Sequence, residues 1–312
     1  MMLIRLGVND KPCSPPQRSL LRISVLTVLL LFTVHSHASD VQRPSAGWNT
    51  TVTAAFAWQG DTDLDNDGEF SVNRGVVEVN SRRRTGERLF TGITLGYEED
   101  DYRFSQSSAQ PWNDIRTLQF GVSLRYLATE KWSLFGLPLL RYSAEKGKDL
   151  TDGREYGILA GASYRFSDTL TLGPGLGVIS GIGGEEDVFP ILLVNWKITD
   201  TVSLETGRGL AASRGPGLVL KWQAANQWEL GLAARYEKSR FRLATEDNIG
   251  EDRSVPVLVT ANWRHNRQFS VTAFAGMETA GKLSLENSNG NEIESLEYDT
   301  APLAGLVASF TF

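Results

Sequence analysis

The stretch DTDLDNDGEF contains the residue types of a calcium-binding loop. Asp63, Asp65 and Asp67 alternate along it, and Gly68 follows where such loops turn sharply. The helical form of this loop also has a bidentate Glu at its twelfth position, and counting from Asp63 that position holds Arg74. The stretch therefore predicts either a tight polar turn, which Asp, Asn and Gly favour, or a loop in which Asp63, Asp65 and Asp67 gather a calcium ion.

Histidine catalysis has one candidate beyond residue 38, His265 in the stretch WRHNR. Hydrolases of the serine type need an imidazole beside the hydroxyl that it deprotonates, whereas His265 lies in a charged stretch typical of a solvated turn. No pair of carboxylates stands out among the acidic residues, and the run Gly173–Gly184 lacks the G-x-G-x-x-G spacing of nucleotide-binding loops. The sequence therefore predicts that the protein is not an enzyme.

A further group of charged residues shares one feature, a position on the small and polar face of an alternating segment. These residues are Arg125, Arg165, Lys197, Glu205, Lys221, Glu229 and Arg235. If the segments enclose a space, such charges set its ion selectivity. The alternative is that they form Arg–Glu pairs that brace or close the interior. Both interpretations depend on the elements that position these side chains.

Those elements alternate with a period of two residues. In WNTTVTAAFAW, one face carries Trp48, Val52, Ala54, Phe56 and Trp58. The stretches LQFGVSLRY, WELGLAARY and QFSVTAFAGM alternate in the same way. Because a strand points successive side chains to opposite faces, these segments are predicted to be two-faced strands.

The connections alternate between short turns and long, mostly acidic loops. The long loops are predicted at 60–69, 99–113, 145–154, 180–187, 208–215, 240–252 and 282–299. This pattern is typical of an antiparallel meander with two unlike ends. It predicts about 14 strands of ~10–14 residues, enough for a tilted strand to cross a bilayer, with 12 or 16 strands as alternatives.

The aromatic residues are concentrated near the two ends of the strands. One set lies near the short turns: Tyr126, Trp132, Tyr164, Phe166, Trp196, Trp222, Trp228, Trp263 and Phe269. A second set lies toward the long loops: Trp58, Tyr97, Tyr142, Tyr156, Phe189 and Tyr236. Two aromatic belts around an aliphatic band favour a membrane protein.

The fold predicted from these patterns is all-β, an antiparallel transmembrane up-and-down β-barrel. Strands in lipid must close into a ring, since every backbone group has to be paired there. The stretches SLFGLPLL and FPILLVNW are apolar on both faces, so part of the interior is predicted to be packed.

Residues 1–38 have the pattern of a secretory signal peptide. Arg18 and Arg22 precede the apolar run Ile23–Val34, and small residues follow up to Ala38. The barrel domain is then predicted to span 39–312, with 27 basic and 36 acidic residues and a formal charge of −9. This charge argues against nucleic acid as a partner.

The final stretch APLAGLVASFTF has an apolar face that includes Phe310 and Phe312. Together with the alternating strands and the leader, it resembles bacterial outer-membrane β-barrel proteins. The resemblance implies that Phe310 and Phe312 belong to the signal read by the barrel-assembly machinery. It also implies an outer-membrane location, with long loops extracellular, both termini periplasmic, and lipid and lipopolysaccharide as neighbours.

Two functions follow from the predicted barrel. The first is a passive channel for small polar solutes, which the Gly, Ser and Thr of the inner face favour. The second is a non-conducting barrel with a structural or surface-interaction role, which the apolar inner patches favour. No cofactor is predicted beyond calcium in the first long loop, where a bound ion would bridge to lipopolysaccharide phosphates.

Overall fold

A computed structural model describes residues 47–65, 68–105, 110–184, 186–206 and 214–312. Its β-segments are β1 Asn49–Asp63, β2 Glu69–Arg84, β3 Leu89–Ser105, β4 Ile115–Leu127, β5 Trp132–Glu145, β6 Arg154–Arg165, β7 Leu170–Ser180, β8 Glu186–Lys197, β9 Val202–Thr206, β10 Gly217–Ala225, β11 Trp228–Arg235, β12 Glu237–Arg242, β13 Ile249–Arg264, β14 Phe269–Glu286, β15 Glu292–Tyr298 and β16 Ala301–Thr311. A 3₁₀ turn, Leu150–Gly153, lies between β5 and β6. In the described part of the chain, no helix has the length and apolar character needed to cross a membrane. The predicted leader, residues 1–38, lies outside the described residues.

The segments form one closed antiparallel ring. Each barrel strand pairs with the next along the chain, and β1 closes the ring on β16, from Thr51 opposite Thr311 to Gln59 opposite Leu303. Segments β11 and β12 pair with different stretches of the same neighbour, β13, and β15 and β16 do so with β14. Each of these pairs of segments is therefore one interrupted strand. The described residues thus form 14 strands, which confirms the predicted fold and strand number.

The outer face carries the apolar side chains that alternation predicts. Phe56, Leu95, Leu232 and Val259 are exposed along the middle of their strands. Most of the predicted aromatic residues are exposed at the two ends of this band. A protein that exposes such a continuous apolar band is suited to lipid.

Phe189 is a correction to the predicted aromatic belts. Its ring lies inside the barrel, packed against the buried Leu137, Leu139, Leu159, Ile179 and Ile191, together with Phe135 and Leu193. These eight residues are the inner apolar cluster. They come from β5 to β8 and include the inward side chains of SLFGLPLL and FPILLVNW, so the prediction of a partly packed interior is confirmed.

Glycines on β6 and β7 make room for the rings of this cluster. A Cβ on Gly161 would lie 2.5 Å from the Phe135 ring, and one on Gly177 would lie 2.4 Å from the Phe189 ring. Each ring therefore lies over a glycine of the neighbouring strand, where no side chain occupies the space. This explains the glycine-rich run beginning at Gly173 as a packing feature of the wall.

The connections at one end of the barrel are shorter than those at the other, as the alternation in the sequence predicts. The short-turn end holds the connections 85–88, 128–131, 166–169, 198–201, 226–227 and 265–268. At the opposite end, here called the long-hairpin end, the strands extend further than predicted. Much of the predicted loops 60–69, 99–113, 240–252 and 282–299 is strand, and β14 alone has 18 residues.

The physical reason for these longer strands is that alternation continues beyond the lipid-facing band. On β3 the outward side chains change from apolar at Tyr97 to acidic at Glu99 and Asp101, while Tyr102 and Phe104 still point inward. Segments β6 to β10 have only 5 to 12 residues each. One side of the barrel therefore projects further than the other.

Candidate functional site

The interior of the long-hairpin end is filled by a second apolar group, the outer cluster. Its buried members are Leu64, Phe70, Val72, Tyr102, Trp112, Ile115, Phe241, Leu243, Leu283 and Tyr298. Trp112 lies in the connection between β3 and β4, with its ring centroid 5.0 Å from that of Phe241 and 5.8 Å from that of Tyr102. Side chains from five or more strands thus meet across this end of the barrel.

The hairpin formed by β12 and β13 brings Phe241 to this cluster. After Arg235 the chain leaves β10, and Arg242 forms a parallel bridge with Ala144 on β5. The amide of Ala244 donates to the Glu145 carboxylate at 2.7 Å. Because β6 to β10 separate β5 from β11 in the wall, this hairpin crosses the mouth of the barrel.

An exposed ion pair joins the same hairpin to the 3₁₀ turn. Lys148 donates to Asp247, and this hydrogen bond lowers the pKa of the Asp247 carboxyl. Arg242 also donates to the carbonyl of Asp152 at 3.3 Å. The tip of the hairpin is therefore held by polar contacts as well as by the outer cluster.

Charged side chains line the interior next to the outer cluster. Arg74 on β2 contacts Glu278 at 3.1 Å and Asp252 at 3.3 Å. The hydroxyl groups of Tyr102 and Tyr298 donate to the two oxygens of Asp252, at 2.8 and 3.3 Å. The carboxylate of Asp252 thus accepts from three side chains on three strands.

Three further ion pairs continue this layer. Arg214, from the connection between β9 and β10, contacts Glu98 on β3 at 2.5 Å. In the ring, β3 lies about opposite to β9 and β10, so the Arg214 side chain reaches across the interior. The other two pairs are Arg141–Glu155 at 3.3 Å and Lys238–Asp187 at 3.0 Å. We call the pairs around Arg74, Arg214, Arg141 and Lys238 the ion-pair layer.

Two cavities lie within the ion-pair layer. The smaller has a volume of about 20 Å³ and is lined by Arg74, Asp100, Tyr102, Arg214, Glu237, Ser239, Asp252 and Ser254. The larger, of about 130 Å³, is bounded by charged residues, by the apolar side chains of Ile179 and Phe189, and again by Arg214. Arg214 therefore forms part of the boundary of both.

The charged residues predicted to face the interior fall into two groups. Arg125 and Arg165 lie toward the short-turn end, exposed, and neither forms an ion pair with another described residue. The others are paired: Lys197–Asp200 at 2.8 Å, Lys221–Glu205 at 3.0 Å, Glu229–Arg264 at 3.5 Å and Arg235–Glu237 at 2.6 Å. For all seven residues, the selectivity role and the bracing role stay predictions.

The hairpin between β1 and β2 contains the acidic residues predicted to bind calcium. The amide of Leu64 donates to the Gly68 carbonyl at 2.7 Å, and the Asp65 carboxylate accepts from the amide of Glu297 at 3.3 Å. Asp67 lies outside the described residues. In the remainder that is described, no group of three or more acidic, His or Cys side chains is arranged to hold a metal. Calcium binding by Asp63, Asp65 and Asp67 stays a prediction.

His265 lies in the turn between β13 and β14. Its amide donates to the Phe269 carbonyl at 3.1 Å, and its ring is 5.2 Å from that of Trp263. Phe310 and Phe312 lie at the short-turn end, with ring centroids 4.9 Å apart and outward-facing side chains. Their role in assembly stays a prediction.

Sequence reasoning missed Arg74, Glu98, Arg214, Asp252 and Glu278. All five lie in predicted loops or at strand ends, outside the strand faces from which the charged candidates were taken. The signal was present in the run EEDD, because the period of two continues through it and places Glu98 and Asp100 inside while their neighbours face out.

Comparison with solved structures finds the same fold among outer-membrane proteins. The COG4313 outer membrane channel from Pseudomonas putida F1 is similar with a TM-score of 0.51, at 11% identity, over 89% of this chain and 100% of that chain. A Pseudomonas aeruginosa FadL homologue gives 0.44 at 10% identity, over 84% and 89% of the two chains. The TodX monoaromatic hydrocarbon channel gives 0.43 at 10% identity, over 86% and 90%. No protein-family model and no curated protein sequence matches the chain. At such identities, the similarity to the first of these structures establishes the fold alone.

Proposed function

We propose that this bacterial outer-membrane β-barrel is a channel for small polar solutes, narrowed at its long-hairpin end. The observation that carries the proposal is the ion-pair layer, in which Arg214 and Arg74 reach acidic partners on other strands and leave two small polar cavities. An interior without a passage needs no charges, because a packed apolar core is as stable as buried ion pairs or more so. The layer therefore supports a selective passage.

The short-turn half of the interior supports the same function. Its inward positions include Thr53, Gly92 and Ser123, and Arg125 lies exposed among them. Small polar side chains leave room for water, and exposed charges act on passing ions. We further propose that the short-turn end is periplasmic and the long-hairpin end extracellular, after removal of residues 1–38.

A second candidate is a barrel that does not conduct and acts through its projecting hairpins. The outer cluster supports this alternative, since ten buried apolar residues meet across one end of the interior. The two functions differ in one measurable property, which is the passage of ions.

Single-channel recording of the purified protein in a planar bilayer tests the proposal. We expect small, well-defined current steps, and we expect Arg214→Ala to enlarge them because it removes a side chain that crosses the interior. The control is Arg103→Ala, because Arg103 is an exposed residue on β3 that forms an ion pair with Asp101 on the same strand. Correctly folded protein that stays silent in both the parent and the Arg214 variant would establish the non-conducting barrel instead.

A further inference from the structure

The smaller cavity in the ion-pair layer has an unusual polar lining. Asp100 is only 5% exposed, and its Oδ1 atom is buried without a hydrogen-bond donor among the described residues. The hydroxyl-bearing Ser239 and Ser254 line the same cavity. Nearby, the Oε2 atom of Glu278 is also buried without a donor in the described part of the chain. Buried acceptors of this kind are costly unless a donor reaches them.

The charges around the cavity do not balance. Its carboxylates and those paired with its cations are Glu98, Asp100, Glu237, Asp252 and Glu278. The guanidinium groups that contact them are Arg74, Arg214 and Arg235. Within the described residues this leaves two more acidic than basic groups when all of these carboxyls are ionised. An interior of low polarity disfavours uncompensated charge, so a bound cation would stabilise this arrangement.

We propose that the cavity around Asp100 binds the ammonium group of a small cationic solute. This inference rests on the proposed channel function and names the class of solute that the passage takes. A volume of about 20 Å³ admits one group of the size of a water molecule. An ammonium group donates several hydrogen bonds and carries one positive charge, which matches the Asp100 oxygen, the two serine hydroxyl groups and the excess of carboxylates.

Arg214 shows that the same acidic residues already accept a nitrogen cation. Its guanidinium group contacts Glu98, two residues before Asp100 on the same face of β3, at 2.5 Å. A divalent metal is a poorer match, because the described residues include no set of three acidic side chains arranged as ligands. A cationic solute would therefore take a place beside Arg214 and compete with it for the carboxylates.

The protonation of Asp100 gives the site a pH dependence. Asp100 lies beyond the lipid-facing band of β3, where burial and then the Glu98 carboxylate raise the pKa of its carboxyl well above the usual range. The groups that face it are Arg74, Glu98, Tyr102, Arg214, Glu237 and Asp252. Because protonation neutralises the carboxylate, binding of a cation is expected to weaken as the pH falls through the raised pKa.

Thermal unfolding of the full-length barrel in detergent, at a series of pH values from neutral upward, measures this binding without a membrane. Methylammonium chloride is the probe, and tetramethylammonium chloride at equal ionic strength is the control, since it has the same charge but no N–H donor. We expect the unfolding temperature to rise with methylammonium in a saturable way and to stay unchanged with the control. An equal rise for both salts, or none for methylammonium, would overturn the proposal.

Two variants with a matched control locate the site. Asp100→Asn is expected to weaken the apparent affinity at least about tenfold, because it removes a charge-assisted hydrogen bond. Glu99→Gln changes the adjacent residue, which points outward and is exposed, and should leave the affinity unchanged. If both substitutions changed the affinity equally, methylammonium would not bind at the cavity around Asp100.

Arg214→Ala keeps the proposal testable if Asp100→Asn fails to fold. Removing the competing guanidinium is expected to tighten methylammonium binding severalfold, and unchanged or weaker binding would contradict the proposed site. A barrel that conducts but is not stabilised by methylammonium refutes only this inference. A barrel that is stabilised but never conducts refutes the channel and keeps the binding site.

Discussion

At the scale of single residues, Asp252 connects the polar and apolar parts of the long-hairpin end. Its carboxylate accepts from Arg74 and from the hydroxyl groups of Tyr102 and Tyr298, whose rings belong to the outer cluster. Burial, and then the Asp252 carboxylate, raises the pKa of Tyr102 well above its usual range. The Tyr102 hydroxyl therefore stays protonated and remains a donor.

Tyr102→Phe is expected to lower the free energy of unfolding by about 1.5–3 kcal/mol, the contribution of a hydrogen bond to a charged group. Urea unfolding of the barrel in lipid vesicles measures the change. The matched control is Tyr156→Phe, because Tyr156 is an outward residue with 58% of its surface exposed. Equal effects of the two substitutions would argue against a buried bond to Asp252.

Arg125 and Arg165 are the residues to which the proposed ion selectivity is assigned. Each lies on the inner face toward the short-turn end, without a carboxylate partner among the described residues. Replacing both with Glu reverses two charges in the passage and is expected to shift the reversal potential toward cation preference. The measurement is a salt gradient across a planar bilayer.

The control for this pair is Arg103→Glu, which reverses a charge on an exposed outward side chain. It should leave the reversal potential unchanged. If the double variant also keeps the parental value, the two arginines do not line the route of the ions.

At the scale of elements, the hairpin of β12 and β13 decides whether the long-hairpin end is closed. It leaves the wall beside β10, contacts β5 and contributes Phe241 to the outer cluster. Trp112 packs edge-on against Phe241 from the connection between β3 and β4. Two elements far apart in the sequence thus meet in this aromatic contact.

Trp112→Ala is expected to loosen this end, because removing a buried indole costs about 3–5 kcal/mol in a packed core. We expect protease cleavage within 237–248 in the folded variant but not in the parent. Trp228→Ala is the control, since Trp228 is exposed on the outer face near the short turns. Cleavage of parent and Trp112 variant at the same rate would indicate that the hairpin is held independently of Trp112.

At the scale of the whole molecule, the apolar band on the outer face means that the barrel is stable in lipid. Val259 has 63% of its surface exposed on the outer face of β13. Ile293 on β15 is exposed to a similar degree, 57%, but lies beyond the band at the long-hairpin end. Val259 is therefore expected to face lipid, and Ile293 is expected to face water. Substitutions at the two positions can be compared because both side chains are similarly exposed.

Val259→Arg is expected to destabilise the barrel in lipid vesicles by about 2–4 kcal/mol, the cost of a charge near the bilayer centre. Ile293→Arg should change the free energy of unfolding by less than about 0.5 kcal/mol, as is usual for surface substitutions. Unfolding in urea measures both values. Similar values at the two positions would mean that the band does not face lipid.

The sequence by itself determined the closed ring of 14 antiparallel strands. Period-two alternation fixes which face of each strand is apolar, and strands in lipid have to close because an open edge leaves backbone groups unpaired. The inner apolar cluster was also predictable, because SLFGLPLL and FPILLVNW are apolar on both faces. Phe189 was assigned to the wrong face, since a segment with two apolar faces does not show which one points inward.

Only the tertiary structure decided how the interior is narrowed. Arg214 and Glu98 are 116 positions apart in the chain, and the contact of β12 with β5 crosses the ring. Such contacts depend on strand tilt, on register and on the bend after Arg235, none of which local patterns encode. The acidic loops therefore looked like solvated surface, although part of their charge is buried in the ion-pair layer, where the low polarity of the interior makes every charge require a partner.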